Sequence, residues 1–306
     1  MGVPPVEQVV QSGMVPPRGV LQLNLPQREV DGTMGQNRGY TPGSGSGTFV
    51  SPHAFHITST LPVVAYQFNP IVQQFSNDAS ILLGKQALGQ HYTVLGWPTA
   101  NPCGMPPGEF GHQKSVPDHT AVTIVATVDN THVTVMPTHK VMASGGDSGV
   151  AIPETEAGQP ITLTLNRFDV ANLESWQPTG SILECISLAR DYDGDFTGTV
   201  VTSDQPIAVF TALERGIGFG GAEPTPSPNW TQQDGICCTD HFEEQMFPTT
   251  AFGREYAIAR SPVRSTDPNW KEPDIFRVVG TENNTQVTTN LGGADASFTL
   301  NAGQQR

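Results

Sequence analysis

From Phe49 onward the chain returns every 8 to 15 residues to a short run in which apolar and polar side chains alternate. A period of two sends successive side chains to opposite faces of an extended strand, one face toward a core and one toward water. Such runs include AFHITS (54–59), PVVAYQF (62–68), HYTVLGW (91–97), AVTIVATV (121–128), HVTVM (132–136) and PITLTLN (160–166). They continue with SILECISLA (181–189), GTVVTS (198–203), PIAVFTA (206–212), EYAIAR (255–260), DIFRVVGT (274–281), QVTTNL (286–291) and SFTLN (297–301). Gly, Pro, Asn and Asp stand between them. Short strands at this spacing predict an all-β chain of antiparallel, sandwich-like units with long loops. One short helix is predicted over ASILLGKQAL, with Asn77 or Asp78 as its cap.

The runs also repeat. Residues 56–66 (HITSTLPVVAY) resemble 200–210 (VVTSDQPIAVF), and 124–134 (IVATVDNTHVT) resemble 278–288 (VVGTENNTQVT). Leu163-Thr164-Leu165-Asn166 then matches Phe298-Thr299-Leu300-Asn301. The order is kept in both passes, which predicts a duplicated β unit. The expected division is an N-terminal strand with a Gly/Ser-rich loop over 1–48, a first unit over 49–197 and a second over 198–306, truncated at its end. Within each unit, D/N-N-T reads as a hairpin turn, because Asn tolerates left-handed backbone. T-S-x-x-P reads as a bend between two strands, its Pro placed where a missing N–H is tolerated.

Composition narrows the function. Fifteen Lys and Arg against 29 Asp and Glu leave a net charge of −14. That argues against nucleic acid or an anionic membrane as partner, since both require a basic face. No run of apolar residues is long enough to span a bilayer, and the first residues have neither the basic nor the apolar part of a signal peptide.

Four stretches carry a family likeness. They are TSTLPVVAYQ leading into FNPIVQQFSNDASILLGKQALGQHYTVLGWPT (68–99), VATVDNTHVTV (125–135), DFTGTVVTSDQPIAVFTA (195–212) and CCTDHFEEQMFP (237–248). Together they resemble the N-terminal domain family of IgGFc-binding protein, from about Val20 to the end. The resemblance implies an extracellular, β-rich recognition or adhesion module of a larger surface or secreted protein, with a protein or glycan ligand and no catalytic activity. For a bacterial-type member, immunoglobulin is not carried over as the ligand. The stretch GIGFGG (216–221) departs from the pattern, standing where a cysteine-bearing stretch is expected, and this bears on the disulfides.

Candidate sites follow from residue chemistry. Cys103, Cys185, Cys237 and Cys238 form no zinc motif, and their even number suits disulfides. A bridge between the neighbours Cys237 and Cys238 needs a strained peptide, so the preferred partners for that pair are Cys103 and Cys185. Asp191, Asp193 and Asp195 alternate around Gly194, as carboxylates do in calcium loops, although the twelfth position is Thr202 rather than Glu. Ca2+ is thus the one cofactor suggested; the alternative is a solvated acidic turn. Asp240, His241, Glu243 and Glu244 form the densest polar cluster, with His241 and Glu243 on one face and Asp240 and Glu244 on the other. The cluster suits either a metal-dependent hydrolase or a structural hydrogen-bond network. A purely structural spacer is the third reading. Gly216, Gly218 and Gly221 meet a dinucleotide fingerprint, but three prolines between 224 and 228 replace the helix it needs. Trp230 and Trp270, in Pro-rich loops, are the candidate ligand contacts, and the long loops 98–120 and 213–250 are the candidate binding surface.

Overall fold

The computed structural model describes residues 7–25, 47–68, 78–99, 103, 117–145, 148–178, 180–181, 183, 185, 193–216, 240–260, 262 and 274–306. Twelve strands are described: β1 Phe49–Ser51, β2 Ala65–Phe68, β3 Ala79–Leu82, β4 Gly89–Thr93, β5 Thr120–Ala126, β6 Thr131–Met136, β7 Ile161–Leu165, β8 Val170–Glu174, β9 Val200–Gly216, β10 Asp240–Gln245, β11 Thr285–Thr288 and β12 Ser297–Leu300. Eight of them make one antiparallel sheet in the order β1-β8-β5-β9-β6-β7, with β4 and β10 also on β9. β2 with β3, and β11 with β12, form separate two-stranded ladders.

β9 organises the sheet. Its first residues lie between two strands: His91, Tyr92 and Thr93 of β4 face Thr202, Val201 and Val200, while Val133 to Met136 of β6 face Ser203 to Val200. Its later residues lie between β5, where Ala126 faces Ile207 and Thr120 faces Leu213, and β10, where Gln245 faces Phe210 and Phe242 faces Leu213. The bend between these halves falls at Asp204-Gln205-Pro206. Pro206 has no N–H to give; its carbonyl accepts the Thr127 hydroxyl at 2.6 Å, and the Asp204 carboxylate accepts the His132 N–H at 2.8 Å. The sheet thereby curls into a half-barrel with two limbs.

The neighbours of β9 turn the same corner. Asn130 is left-handed (φ 58°), as expected of it. Yet β5 and β6 do not pair with each other; both run antiparallel to β9. The expected hairpin is therefore a step from one limb to the other. Phe168, at φ 68°, makes the matching step between β7 and β8. A bulky residue is costly in that region, and its surroundings hold it there: its N–H donates to Ala126 O (2.8 Å), and the Arg167 guanidinium stacks 4.3 Å from its ring.

Alternation builds the core. Val122, Ile124 and Ala126 of β5, Val133 and Val135 of β6, Leu163 and Leu165 of β7, and Val201, Ile207 and Val209 of β9 are buried together, with Tyr92 and Phe196. β-branched side chains suit the pleated surface. Removing this apolar area from water, at about 25 cal/mol per Å², is the main stabilising force.

Several expectations are corrected. The predicted helix is instead strand Ala79–Leu82 followed by a 3-10 turn, Lys85–Ala87. Asp78 does bond the Ala79 N–H (2.8 Å), but its other oxygen accepts the Glu243 N–H (2.5 Å), fixing a strand against β10 instead of starting a helix. GTVVTS and PIAVFTA form one bent strand rather than two. AFHITS and EYAIAR form none, and SILECISLA has helical backbone at Leu183 and Cys185. Strands from 49–197 and from 198–306 share the one sheet, because β9 and β10 add to β4–β8.

Candidate functional site

The two long loops are rooted at one end of the sheet. The first returns at 117–119 into β5, and the second leaves β9 at Gly216 and returns at Asp240, directly opposite. Their roots are clamped together. His119 N–H donates to the Glu214 carboxylate (3.0 Å), Glu214 N–H donates to His119 O (2.9 Å), and Arg215 Nε donates to the buried Asp118 (2.6 Å). The His119 ring lies 2.7 Å from Ser175 O at the end of β8. Burial pushes the Glu214 carboxyl up despite the His119 N–H, which works the other way. A disulfide between Cys103 and Cys185 ties the first loop to the helical turn in which Cys185 N–H donates to Ser181 O.

The Asp193-Gly194-Asp195 turn lies at this end too. Gly194 has φ 78°, and any side chain there would collide with Gln177. Its N–H donates to His139 Nε2 (3.1 Å) and its carbonyl accepts the Thr120 hydroxyl. Asp195 turns both oxygens inward. One accepts the Thr197 N–H (2.9 Å) and hydroxyl (2.6 Å); the other accepts Arg277 (2.5 Å) and Gln305 (3.2 Å). Burial pushes Asp195 up, but these hydrogen bonds outweigh it and hold its carboxyl below the usual value of about 3.8. Asp193 is pushed up, chiefly by burial. Arg277 also donates to Gly96 O (2.5 Å) and stacks 4.8 Å from the Trp97 ring.

In the other cluster, His241 Nε2 lies 3.6 Å from Glu243, on the shared face expected. Glu243 also accepts Gln67 Nε2 (2.5 Å), and Glu244 accepts the Ser80 hydroxyl (3.4 Å). Asp240 begins β10, its side chain outside the described residues. Asp191, Trp230, Trp270, Cys237 and Cys238 also lie outside them, as do most of loops 98–120 and 213–250. Among the described residues no three His, Cys, Asp or Glu side chains are grouped to hold a metal ion. The preferred disulfide pairing is corrected: Cys103 and Cys185 are each other's partners, so neither serves Cys237 or Cys238. His119, His139, Glu214, Arg215 and Arg277 received no role from sequence. The β5–β9 register brings His119 to Glu214 and Arg215, and the 193–195 turn gathers His139 and Arg277; neither is visible in a single sequence.

Asp195 makes the fold sensitive to acid. Its lowered carboxyl adds stability that is complete above the unfolded value of about 3.8 and is lost as pH falls through the lower folded value. Asp193 and Glu214 act oppositely: their raised groups add stability at low pH that is lost as pH rises through their folded values. Asp195→Asn is expected to cost about 2 kcal/mol near neutrality. It should also remove part of the acid-side fall in a urea-unfolding series from about pH 2.5 to about pH 7. An unchanged acid limb would contradict the assignment.

The class of molecule is now defined: a curled antiparallel β module with two long loops on one clamped end, one of them stapled by a disulfide. The sequence profile of the family described as IgGFc binding protein matches residues 78–305. The chain belongs to that family. No curated protein and no solved structure matched it.

Proposed function

We propose that the chain is an extracellular, non-enzymatic recognition or adhesion module of a larger surface or secreted protein, binding a protein or glycan through loops 98–120 and 213–250. The observation that carries this is the common rooting of both loops on a rigid sheet end, in a chain whose family is described by a binding activity. A rigid scaffold that presents long loops is the usual arrangement for recognition. A disulfide suits an oxidising, extracellular compartment. Among the described residues no helix is long and apolar enough to cross a membrane. The carboxylates proposed for a hydrolase are engaged with Gln67, Ser80 and His241, which favours the structural network there.

The test replaces residues 217–239 with a short Gly-Ser turn, which Gly216 and Asp240 can close because they already pair. Immunoglobulin G Fc and an array of mucin-type glycans serve as probes. Saturable binding to one probe, lost in the variant while its melting temperature is kept, supports the proposal. Binding untouched by the replacement, or no saturable binding to either probe, overturns it.

A further inference from the structure

Two stretches of the chain expose apolar side chains in the pattern of a sheet core. Ile57, Leu61, Val63 and Val64 belong to one, and Tyr256 and Ile258 to the other. Neither stretch lies in a strand. The molecule itself shows what covers such residues.

Each stretch has a counterpart with the same local geometry. Ser59 Oγ donates to Leu61 O (2.7 Å) as Ser203 Oγ donates to Gln205 O (2.6 Å), 144 positions on. Tyr66, Gln67 and Phe68 face Ile81, Ser80 and Ala79, as Phe210, Thr211 and Ala212 face Gln245, Glu244 and Glu243. A 3-10 turn follows each time, Lys85–Ala87 and Thr249–Ala251. LGQHYTV (88–94) then matches FGREYAI (252–258). In both, the tyrosine hydroxyl accepts the N–H of the glycine three residues before it, Gly89 to Tyr92 at 2.9 Å and Gly253 to Tyr256 at 2.8 Å.

The corner recurs as well. Asn130 and Asn284 have φ of 58° and 62°. Thr131 Oγ1 donates to Val128 O (2.7 Å), and Thr285 Oγ1 donates to Glu282 O (2.8 Å). Thr131 faces Leu165 as Thr285 faces Leu300. Phe168 N–H donates to Ala126 O and Gly303 N–H to Gly280 O, both at 2.8 Å.

The counterparts differ in burial. Tyr92, Val94, Val201 and Ile207 are all 0% exposed, whereas Tyr256, Ile258, Ile57 and Val63 are 69, 58, 51 and 49% exposed. The packed sheet joins the later part of the first pass, β4–β8, to the opening of the second, β9 and β10. The opening of the first pass and the later part of the second are left without this junction. An open depression of about 360 Å³ lined by residues 298–300 and 303–306 falls where the first pass has its core residues Leu163, Leu165 and Ala171.

We infer that the chain carries one unit twice, out of phase with its packed sheet, and that the two unfilled halves bind each other between copies of this chain. Residues 56–65 of one copy enter as a strand between 255–257 and 278–287 of the next. The filled junction sets the register. Thr58, Ile57 and His56 face Glu255, Tyr256 and Ala257 on one edge; Ser59, Val63 and Ala65 face Val287, Gly280 and Val278 on the other. Strand addition of this kind satisfies backbone groups and apolar pockets together.

The chain does not close on itself this way. Ala54 N–H is bonded to Phe168 O at the corner, while Gly303 packs against Gly198 and Arg277 holds Asp195 at the far end of the limb. The bend at 204 lies about 13 Å along β9 from Val200, with Gly198 beyond it in the preceding turn. The contact is therefore head to tail, a heterologous interface, and is independent of what the loops bind.

Capped variants test this. Sedimentation velocity of the intact chain, from about 1 to about 100 μM, is expected to show stepwise species beyond monomer. Val63→Asp blocks one end and Tyr256→Asp the other, so each alone should be monomeric with unchanged melting. Their equimolar mixture should give a dimer and nothing larger. Ile57→Asp and Ile258→Asp repeat the test should either first variant fold poorly. A wild-type chain that stays monomeric, including one whose 56–64 amides are protected by its own tail, overturns the inference. So does a mixture that stays monomeric.

Discussion

Tyr92→Ala is expected to destabilise the folded chain by about 4 kcal/mol, the range for removing a large aromatic from a packed core. Tyr92 is fully buried, and its hydroxyl does two jobs. It donates to Ile207 O at 2.6 Å and accepts the Gly89 N–H at 2.9 Å, tying β4 to the bend of β9. Burial pushes this phenol up, with the Gly89 N–H opposing, so it keeps its proton at ordinary pH. Alanine would leave a cavity among Val94, Val201 and Ile207 and would strip a partner from two backbone groups. Tyr92→Phe separates the two effects. It keeps most of the packing, so about 1 to 1.5 kcal/mol should remain as the share of the hydrogen bonds. Urea unfolding of both variants measures this. A Tyr92→Ala loss below about 1 kcal/mol would mean that β4 is not locked into the sheet. Tyr256→Ala is the control: its hydroxyl makes the same contact to Gly253, but its ring is exposed, and a monomeric chain should lose about 0.5 kcal/mol or less.

Tyr92 and Tyr256 share a local pattern and differ in their neighbours, and the same difference limits what the sequence shows of the fold. Alternation correctly marked 121–126, 132–136 and 161–165, and it marked 200–203 and 206–212 without showing that they are one continuous bent strand; one face of each is buried against the others. The same alternation in 54–59 and 255–260 marked segments that are not strands. A pattern reports what a segment is able to pair with. Pairing itself depends on a neighbour, and neighbours are set by topology. The corner shows a second limit. Asn130 has the left-handed backbone expected of it, but the chain steps from limb to limb where a reversal was expected. Backbone sign at one residue does not fix the direction of the strand that follows.

The sheet end was the least legible part. In the sequence Asp195 is one of three alternating carboxylates, a pattern shared by calcium loops and acidic turns. Its actual partners, Arg277 and Gln305, lie 82 and 110 residues away. His119 stood in view beside Asp118, yet its clamp on Glu214 appears only once β5 and β9 are in register. By contrast, His241 and Glu243 did fall on one face, because two positions along a strand are enough to decide that.

Loss of the Cys103–Cys185 disulfide is expected to cost about 4 kcal/mol, comparable with Tyr92→Ala but different in kind. The bridged residues are 82 apart. In the chain-entropy account, opening a loop of that length returns about 4.5 kcal/mol of freedom to the unfolded state. Neither cysteine belongs to the apolar cluster of the sheet. The sheet should therefore keep its circular dichroism after reduction, while its urea midpoint falls and the amides beside Cys103 and Cys185 exchange faster. Tyr92→Ala should instead loosen the sheet itself. Connectivity is tested by the same chemistry. With Cys103→Ala, Cys185 should become reactive to a thiol reagent under denaturing, non-reducing conditions. If it stays blocked, its partner is another cysteine and the first loop is not tied to the 181–185 turn. Because the stabilisation is lost on reduction, a chain held at the reducing poise of a cytosol would stand closer to unfolding than one in an oxidising compartment. That difference should appear as faster proteolysis within loop 98–116 when reductant is present.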